Sequence, residues 1–171
     1  MKIRLLTLFV LIVSISSCVK ERSYPIVPNI EFKSVSSNFV KSGSIDTITF
    51  SFTDGDGDIG VDNSVDDTSD ICGLQTGDSA SLRARAFNVF LIDSRDLCVV
   101  QLASAFVTAE GKFKSLAGEI LAISRINSKK CFAVPSPGCP KDTVVYTILF
   151  RDLAGNFSNA VQTVPIVVDG E

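Results

Sequence analysis

Residues 46–60 read DTITFSFTDGDGDIG, an alternating segment that runs into three closely spaced aspartates. Ile48, Phe50 and Phe52 occupy every second position, with threonine and serine between them. Because successive side chains of a strand point to opposite faces, this alternation predicts a strand with one buried face. Glycine and aspartate, which favour turns, then end the strand.

Strand periodicity recurs on both sides of this segment. Seven short strands with turn-rich joints predict an all-β fold, an antiparallel β-sandwich of the immunoglobulin-like or fibronectin III-like type. The segment 116–126 also fits helical spacing, although its pattern favours a strand. Pro165 cannot donate a ladder hydrogen bond, so we expect the last strand at a sheet edge. The other predicted strands are 29–35, 84–92, 97–107, 116–126, 143–151 and 159–168.

The first residues have the pattern of an export signal. Lys2 and Arg4 precede an apolar run at 5–13. As a helix this run extends about 14 Å, roughly half of a hydrocarbon core of about 30 Å, so it is too short for a membrane span and is typical of a signal peptide. The sequence ISSC follows at 15–18 and resembles the bacterial lipobox.

The lipobox resemblance implies cleavage before Cys18, diacylglycerol on its sulfur and acylation of the new N-terminus. Several acyl chains anchor firmly, since each buried methylene contributes about 0.8 kcal/mol. An ordinary secretory signal with an incidental cysteine is the alternative. We therefore expect a lipoprotein signal peptide at 1–17, a lipidated tether at 18–29 and the sandwich at 30–169. The expected location is the outer membrane, on its periplasmic face or at the cell surface.

The three aspartates open a strongly acidic stretch. From position 54 to position 82 the chain has eight aspartates and no lysine or arginine. Asp54, Asp56 and Asp58 alternate with glycines that permit sharp turns, so several carboxylates can face one centre. Hard cations such as Ca²⁺ take six to eight oxygen ligands, which makes these residues candidate calcium ligands. The alternative is a solvated acidic turn.

The sandwich topology indicates which residues approach the acidic loop. If 45–53 and 143–151 are strands B and F, the B–C and F–G loops emerge at the same end. Asp152 and Asn156 are therefore further candidate calcium ligands, although both also suit a hairpin turn. An EF-hand is not expected, because the sixth position of the loop is Ile59 rather than glycine.

Two segments carry a resemblance to a protein family. They are FTDGDGDIG at 52–60 and DTVVYTILFRDLAGNFSNAVQT at 142–163, a strand, a tight turn and a returning strand. In this order behind a lipobox, they resemble uncharacterised immunoglobulin-like lipoproteins of Bacteroidetes. The resemblance implies fold and location, and it brings no activity.

With Cys18 assigned to lipid, four cysteines remain, an even number suited to an oxidising compartment. Cys131–Cys139 is the local pairing and closes a loop with two prolines. The remaining pair, Cys72–Cys98, is harder to form, because the predicted topology places Cys98 far from the acidic loop. A disulfide needs Cα atoms within about 7 Å. Either the acidic loop folds back along the sandwich or these two thiols stay free.

Composition narrows the possible functions. The chain has no histidine, the usual near-neutral acid–base group, so we do not expect an enzyme. Nucleic-acid binding is not expected either, because the sequence has no stripe of basic residues interleaved with aromatic residues. The sequence predicts a membrane-anchored, non-catalytic binding or adhesion module stabilised by calcium, whose protein or glycan partner stays open. The alternative is an accessory structural lipoprotein of an envelope complex, with a solvated acidic loop and no metal.

Overall fold

A computed structural model describes residues 23–61, 70–71, 87–104, 107–108, 114–130 and 138–170. None of these residues forms a helix that could span a lipid bilayer. Within the described ranges, the strands are β1 Asn29–Val35, β2 Phe39–Lys41, β3 Ser44–Asp54, β4 Asp58–Ile59, β5 Asp70–Ile71, β6 Val89–Asp93, β7 Val99–Leu102, β8 Val107–Thr108, β9 Leu116–Ile126, β10 Asp142–Val144, β11 Tyr146–Phe150, β12 Val161–Gln162 and β13 Ile166–Asp169.

The alternating segment forms β3, the central strand of the first sheet. β3 pairs antiparallel with β1 on one side and with β9 on the other. Its even-numbered residues from Asp46 to Asp54 are buried, whereas Thr47 and the following odd-numbered residues are only partly buried. One face of β3 is therefore inside the protein, as the alternation predicts, and that face ends on a carboxylate.

The second sheet has the strand order β12-β11-β6-β7-β5. β10 precedes β11 with only Val145 between them and pairs with β13, which in turn pairs with β2. The β2–β13 pair is parallel, while every other strand pair in the described part of the chain is antiparallel. The predicted antiparallel sandwich is thus correct apart from this one pair.

Inward side chains from the two sheets form the core. Phe150 of β11 packs against Phe50 and Phe52 of β3, with ring centroids 6.2 Å and 5.9 Å apart. Phe50 and Phe150 have no exposed surface. Burying aromatic rings supplies a large share of the hydrophobic stabilisation of a core, so these contacts hold the two sheets face to face. The protein is an all-β sandwich, as predicted.

Several predicted strands are confirmed in detail. The segments 29–35 and 116–126 form strands with those bounds, so the helical alternative for 116–126 is wrong. The segment 97–107 is divided into β7 and β8, and 143–151 into β10 and β11. In both cases the two pieces belong to different sheets, so each pairs with different neighbours.

The last predicted strand, 159–168, is interrupted by residues 163–165. Pro165 lies in this break, so its missing N–H removes no hydrogen bond from a sheet. β13 follows the break and lies between β10 and β2. The prediction of an edge position is therefore wrong for β13, although β12 does lie at a sheet edge.

Candidate metal centre

The three aspartates lie at the end of the sandwich where β3 stops. β3 ends at Asp54, and the chain turns through residues 55–57 before β4 begins at Asp58. Gly57 has φ +67°, a left-handed conformation that glycine adopts readily. At Gly55, a Cβ atom would lie 2.7 Å from the carbonyl oxygen of Pro25, so a side chain does not fit. Both glycines are therefore required by the local backbone.

The turn gathers the three carboxylates. One oxygen from each of Asp54, Asp56 and Asp58 lies within 4.8 Å of the others. In each residue Oδ1 is buried and has no hydrogen-bond partner among the described residues. A buried carboxylate oxygen without a donor is unfavourable, because it has lost water and gained nothing in exchange. Together, the three carboxylates could hold a metal ion through one oxygen each.

Backbone donors hold two of these carboxylates by their second oxygen. Gly57 N–H donates to Asp54 Oδ2 at 2.7 Å, and Ala154 N–H donates to Asp58 Oδ2 at 2.9 Å. None of the salt bridges among the described residues involves any of the three aspartates. The positions of Asp54 and Asp58 are therefore fixed, but no cationic side chain among the described residues pairs with them.

Burial and mutual repulsion shift the protonation of the centre. The pKa of Asp54 is raised to about 6 and that of Asp58 to about 7, and burial is the largest cause. The negative charges of Asp56 and Asp152 contribute to both increases, while the N–H donor of Gly57 opposes the increase at Asp54 and that of Ala154 opposes it at Asp58. A cation at the centre would favour the ionised form of these carboxyl groups.

The turn after β11 contacts the acidic turn, as predicted from the sandwich topology. Leu153 N–H donates to the Asp58 carbonyl at 2.9 Å, next to the Ala154 bond. Asp152 and Asn156 lie in this turn and bond to each other, with Asn156 N and Nδ2 donating to the two Asp152 oxygens at 2.7 Å and 2.8 Å. They brace the turn, and Asp152 is not one of the three carboxylates that lie within 4.8 Å of one another.

Two contributions to the centre were not predicted from the sequence. Ala154 acts through its backbone N–H, which no side-chain pattern reports. Tyr24 and Pro25 fall within the predicted tether 18–29, yet their backbones lie against Gly55. The last residues of that tether therefore contact the domain. The alternation of β3 did indicate that Asp54 is buried, because Asp54 continues the every-second-residue series of Ile48, Phe50 and Phe52.

The cysteine predictions are only partly within the described residues. Cys98 and Cys139 are buried, at 5% and 7% exposure, whereas Cys18, Cys72 and Cys131 lie outside the described ranges. β5 pairs with β7, and Ile71 lies opposite Val99. The acidic stretch thus returns along the sandwich, which is the arrangement that a Cys72–Cys98 pairing requires. Both disulfide pairings stay predictions.

Comparison of the chain with protein-family models, with curated proteins and with solved structures finds no match. Fold and site therefore rest on the sequence and on the geometry described above.

Proposed function

We propose that this chain is a lipid-anchored protein of the bacterial outer membrane. Its β-sandwich is a non-catalytic binding or adhesion module, and Ca²⁺ bound by Asp54, Asp56 and Asp58 stabilises one end of it. The single observation that supports the calcium site is the convergence of three carboxylates, each of which has a buried oxygen without a donor among the described residues.

The chemistry of the donor set favours a hard cation. All three groups are carboxylates, and carboxylate oxygens prefer Ca²⁺, Mg²⁺ or Mn²⁺ over softer metals that select thiolate or imidazole. Among these ions, Ca²⁺ accepts six to eight oxygens in flexible geometry, whereas Mg²⁺ demands near-ideal octahedral coordination. A short loop offering three carboxylates suits the more permissive ion, with other oxygens completing its coordination.

Binding an ion here would stiffen the loops at this end of the sandwich. Asp58 is already joined to the turn after β11 through Leu153 and Ala154. An ion on Asp58 therefore restrains two loops at once. Loops that emerge at one end of such a sandwich are where binding surfaces commonly form, so a rigid loop pair supports a recognition role.

The membrane anchor is supported by the sequence of residues 1–18. A basic start, a short apolar run and the tetrapeptide ISSC are the features that lipoprotein signals share. The first strand of the sandwich, β1, begins at Asn29, a short distance along the chain after Cys18. Lipidation at Cys18 would consequently hold the sandwich near the membrane surface, where a binding or adhesion module acts.

Thermal unfolding of the chain with and without Ca²⁺ tests the proposal. An ion that binds only the folded state at a hundred times its Kd stabilises by about 2.7 kcal/mol. For a domain of this size, that corresponds to an increase in Tm of roughly 5–10 °C. Asp56→Ala should remove the increase, because it removes one of the three converging carboxylates.

Glu31→Gln provides the matched control, since it removes one exposed negative charge from β1, away from the centre. This variant should keep the full calcium-dependent increase in Tm. An unchanged Tm in the unsubstituted chain, or an equal shift in Asp56→Ala, would contradict the calcium site. The accessory structural lipoprotein with a solvated acidic loop would then be the better description.

A further inference from the structure

The edge of the first sheet offers a second feature that the calcium site does not explain. β9 has 11 residues and lies at the end of the order β1-β3-β9, and within the described residues only β3 pairs with it. A long edge strand presents unpaired backbone N–H and C=O groups that another strand can join. Charged residues, proline or a bulge commonly protect such an edge.

The outward face of β9 is apolar at its centre rather than protected. Leu121 and Ile123 are 62% and 60% exposed, and Ile45 of the adjoining β3 is 62% exposed. The charges lie on either side of the apolar pair, with Glu119 before it and Arg125 after it. All four β9 residues share the outward face because they are two positions apart.

We propose that β9 is a homodimer interface, in which two copies of the chain pair antiparallel about a two-fold axis at Ala122. This register places Leu121 of each copy opposite Ile123 of the other. It also places Glu119 of each copy opposite Arg125 of the other. Two three-stranded sheets then join into one sheet, with an apolar centre between two pairs of opposite charge.

Symmetry selects this register. A two-fold axis perpendicular to the sheet keeps outward residues outward, so it pairs odd-numbered positions with odd-numbered positions. Moving the axis to Leu121 places Glu119 opposite Ile123, and moving it to Ile123 places Glu119 opposite Asn127. Each neighbouring register therefore loses the charge pairing, and directly opposite unlike charges stabilise an antiparallel pair.

Both charged side chains are available for a partner. Neither Glu119 nor Arg125 forms a salt bridge within the described part of the chain. The guanidinium of Arg125 donates one hydrogen bond, from Nη1 to the Gly43 carbonyl at 2.6 Å, which leaves further N–H donors. The outward residues Glu119, Leu121, Ile123 and Arg125 are complementary to the same four residues in reverse order. A second copy of the chain is therefore the partner that this edge fits.

Sedimentation equilibrium of the full chain over a wide concentration range tests the dimer by charge reversal. Glu119→Arg and Arg125→Glu each replace two attractive pairs by two repulsive ones, so each should raise the dimer Kd about tenfold or more. The double variant Glu119→Arg/Arg125→Glu restores opposite charges and should recover the original Kd. An equimolar mixture of the two single variants should form a heterodimer.

The double variant also controls for the lost Arg125–Gly43 bond, since both Arg125 variants lack it. Thermal unfolding confirms that each variant is folded before its Kd is compared. A chain that stays monomeric at every concentration would overturn the proposal and leave the edge to a strand of another protein. Single variants with the original Kd, or a double variant that fails to recover it, would also overturn it.

Discussion

Asp54 is fully buried at the end of β3, although an ionised carboxylate in such a place normally requires a compensating charge. One of its oxygens accepts a hydrogen bond from Gly57, and the other lacks a donor among the described residues. Asp56 and Asp152 add negative charge nearby. A bound cation would resolve all three unfavourable features at this residue, whereas solvation does not reach its buried oxygen.

The raised pKa values predict how the ion-free protein responds to pH. In the folded protein Asp54 and Asp58 have pKa values of about 6 and about 7, above the ordinary 3.8, so folding takes up protons. The free energy of unfolding should therefore fall as pH rises from about 4 to about 7. Chemical denaturation of metal-free protein across this range measures the effect.

Asp96 and Asp142 affect stability in a different pH range. Asp96 and Asp142 have lowered pKa values, so the stability they contribute is complete above the ordinary pKa of aspartate and is lost only in more acidic solution. Asp58→Asn should flatten the decline, because an amide does not titrate. A stability that increases from pH 4 to pH 7 in the metal-free protein would contradict the assigned burial of the centre.

At the scale of elements, the long strands of the first sheet were predictable and the short ones were not. β3 alternates clearly in its sequence, which makes it decisive, whereas 116–126 also fits helical spacing, and β9 is a strand because it pairs with β3 along its whole length. β2, β4 and β5 have two or three residues, too few to show a period. They form because neighbouring strands offer unpaired edges, and the local sequence does not contain that information.

The candidate site was also predictable only in part. The alternating aspartates and glycines predicted the cluster of Asp54, Asp56 and Asp58, because residues this close in the chain are also close in space. The mutual bonding of Asp152 and Asn156 depends on how the turn after β11 is closed, and the Ala154 contact depends on how two loops meet. These contacts depend on tertiary structure, so residue spacing in the sequence could not predict them.

Packing between β3 and β9 gives a prediction for Gly118. This glycine lies opposite Phe52, and a Cβ atom there would lie 3.0 Å from the Phe52 ring. Because that ring is held in the core, Gly118→Val should lower the free energy of unfolding by about 1–3 kcal/mol. Ala117→Val is the control on the exposed face and should change it by less than about 0.5 kcal/mol. Urea denaturation compares them, and equal effects would argue against the assigned packing.

At the scale of the whole molecule, the sandwich has a distinct arrangement at each end. The acidic centre and the turn after β11 occupy one end. At the other, Arg95 joins Asp93 of β6 to Asp142 of β10 through buried salt bridges. Asp93 and Asp142 have a cationic partner in Arg95, whereas none of the salt bridges among the described residues involves Asp54, Asp56 or Asp58. This contrast explains why we expect only the acidic end to respond to a divalent cation.

Calorimetric titration of the metal-free chain with Ca²⁺ measures directly whether the three aspartates bind an ion. We predict one bound ion per chain, and loss of that binding in the variant Asp54→Asn/Asp56→Asn/Asp58→Asn, which keeps the shape of the side chains and removes their charge. Absence of binding at millimolar Ca²⁺, or the same stoichiometry and affinity in the triple variant, would contradict it.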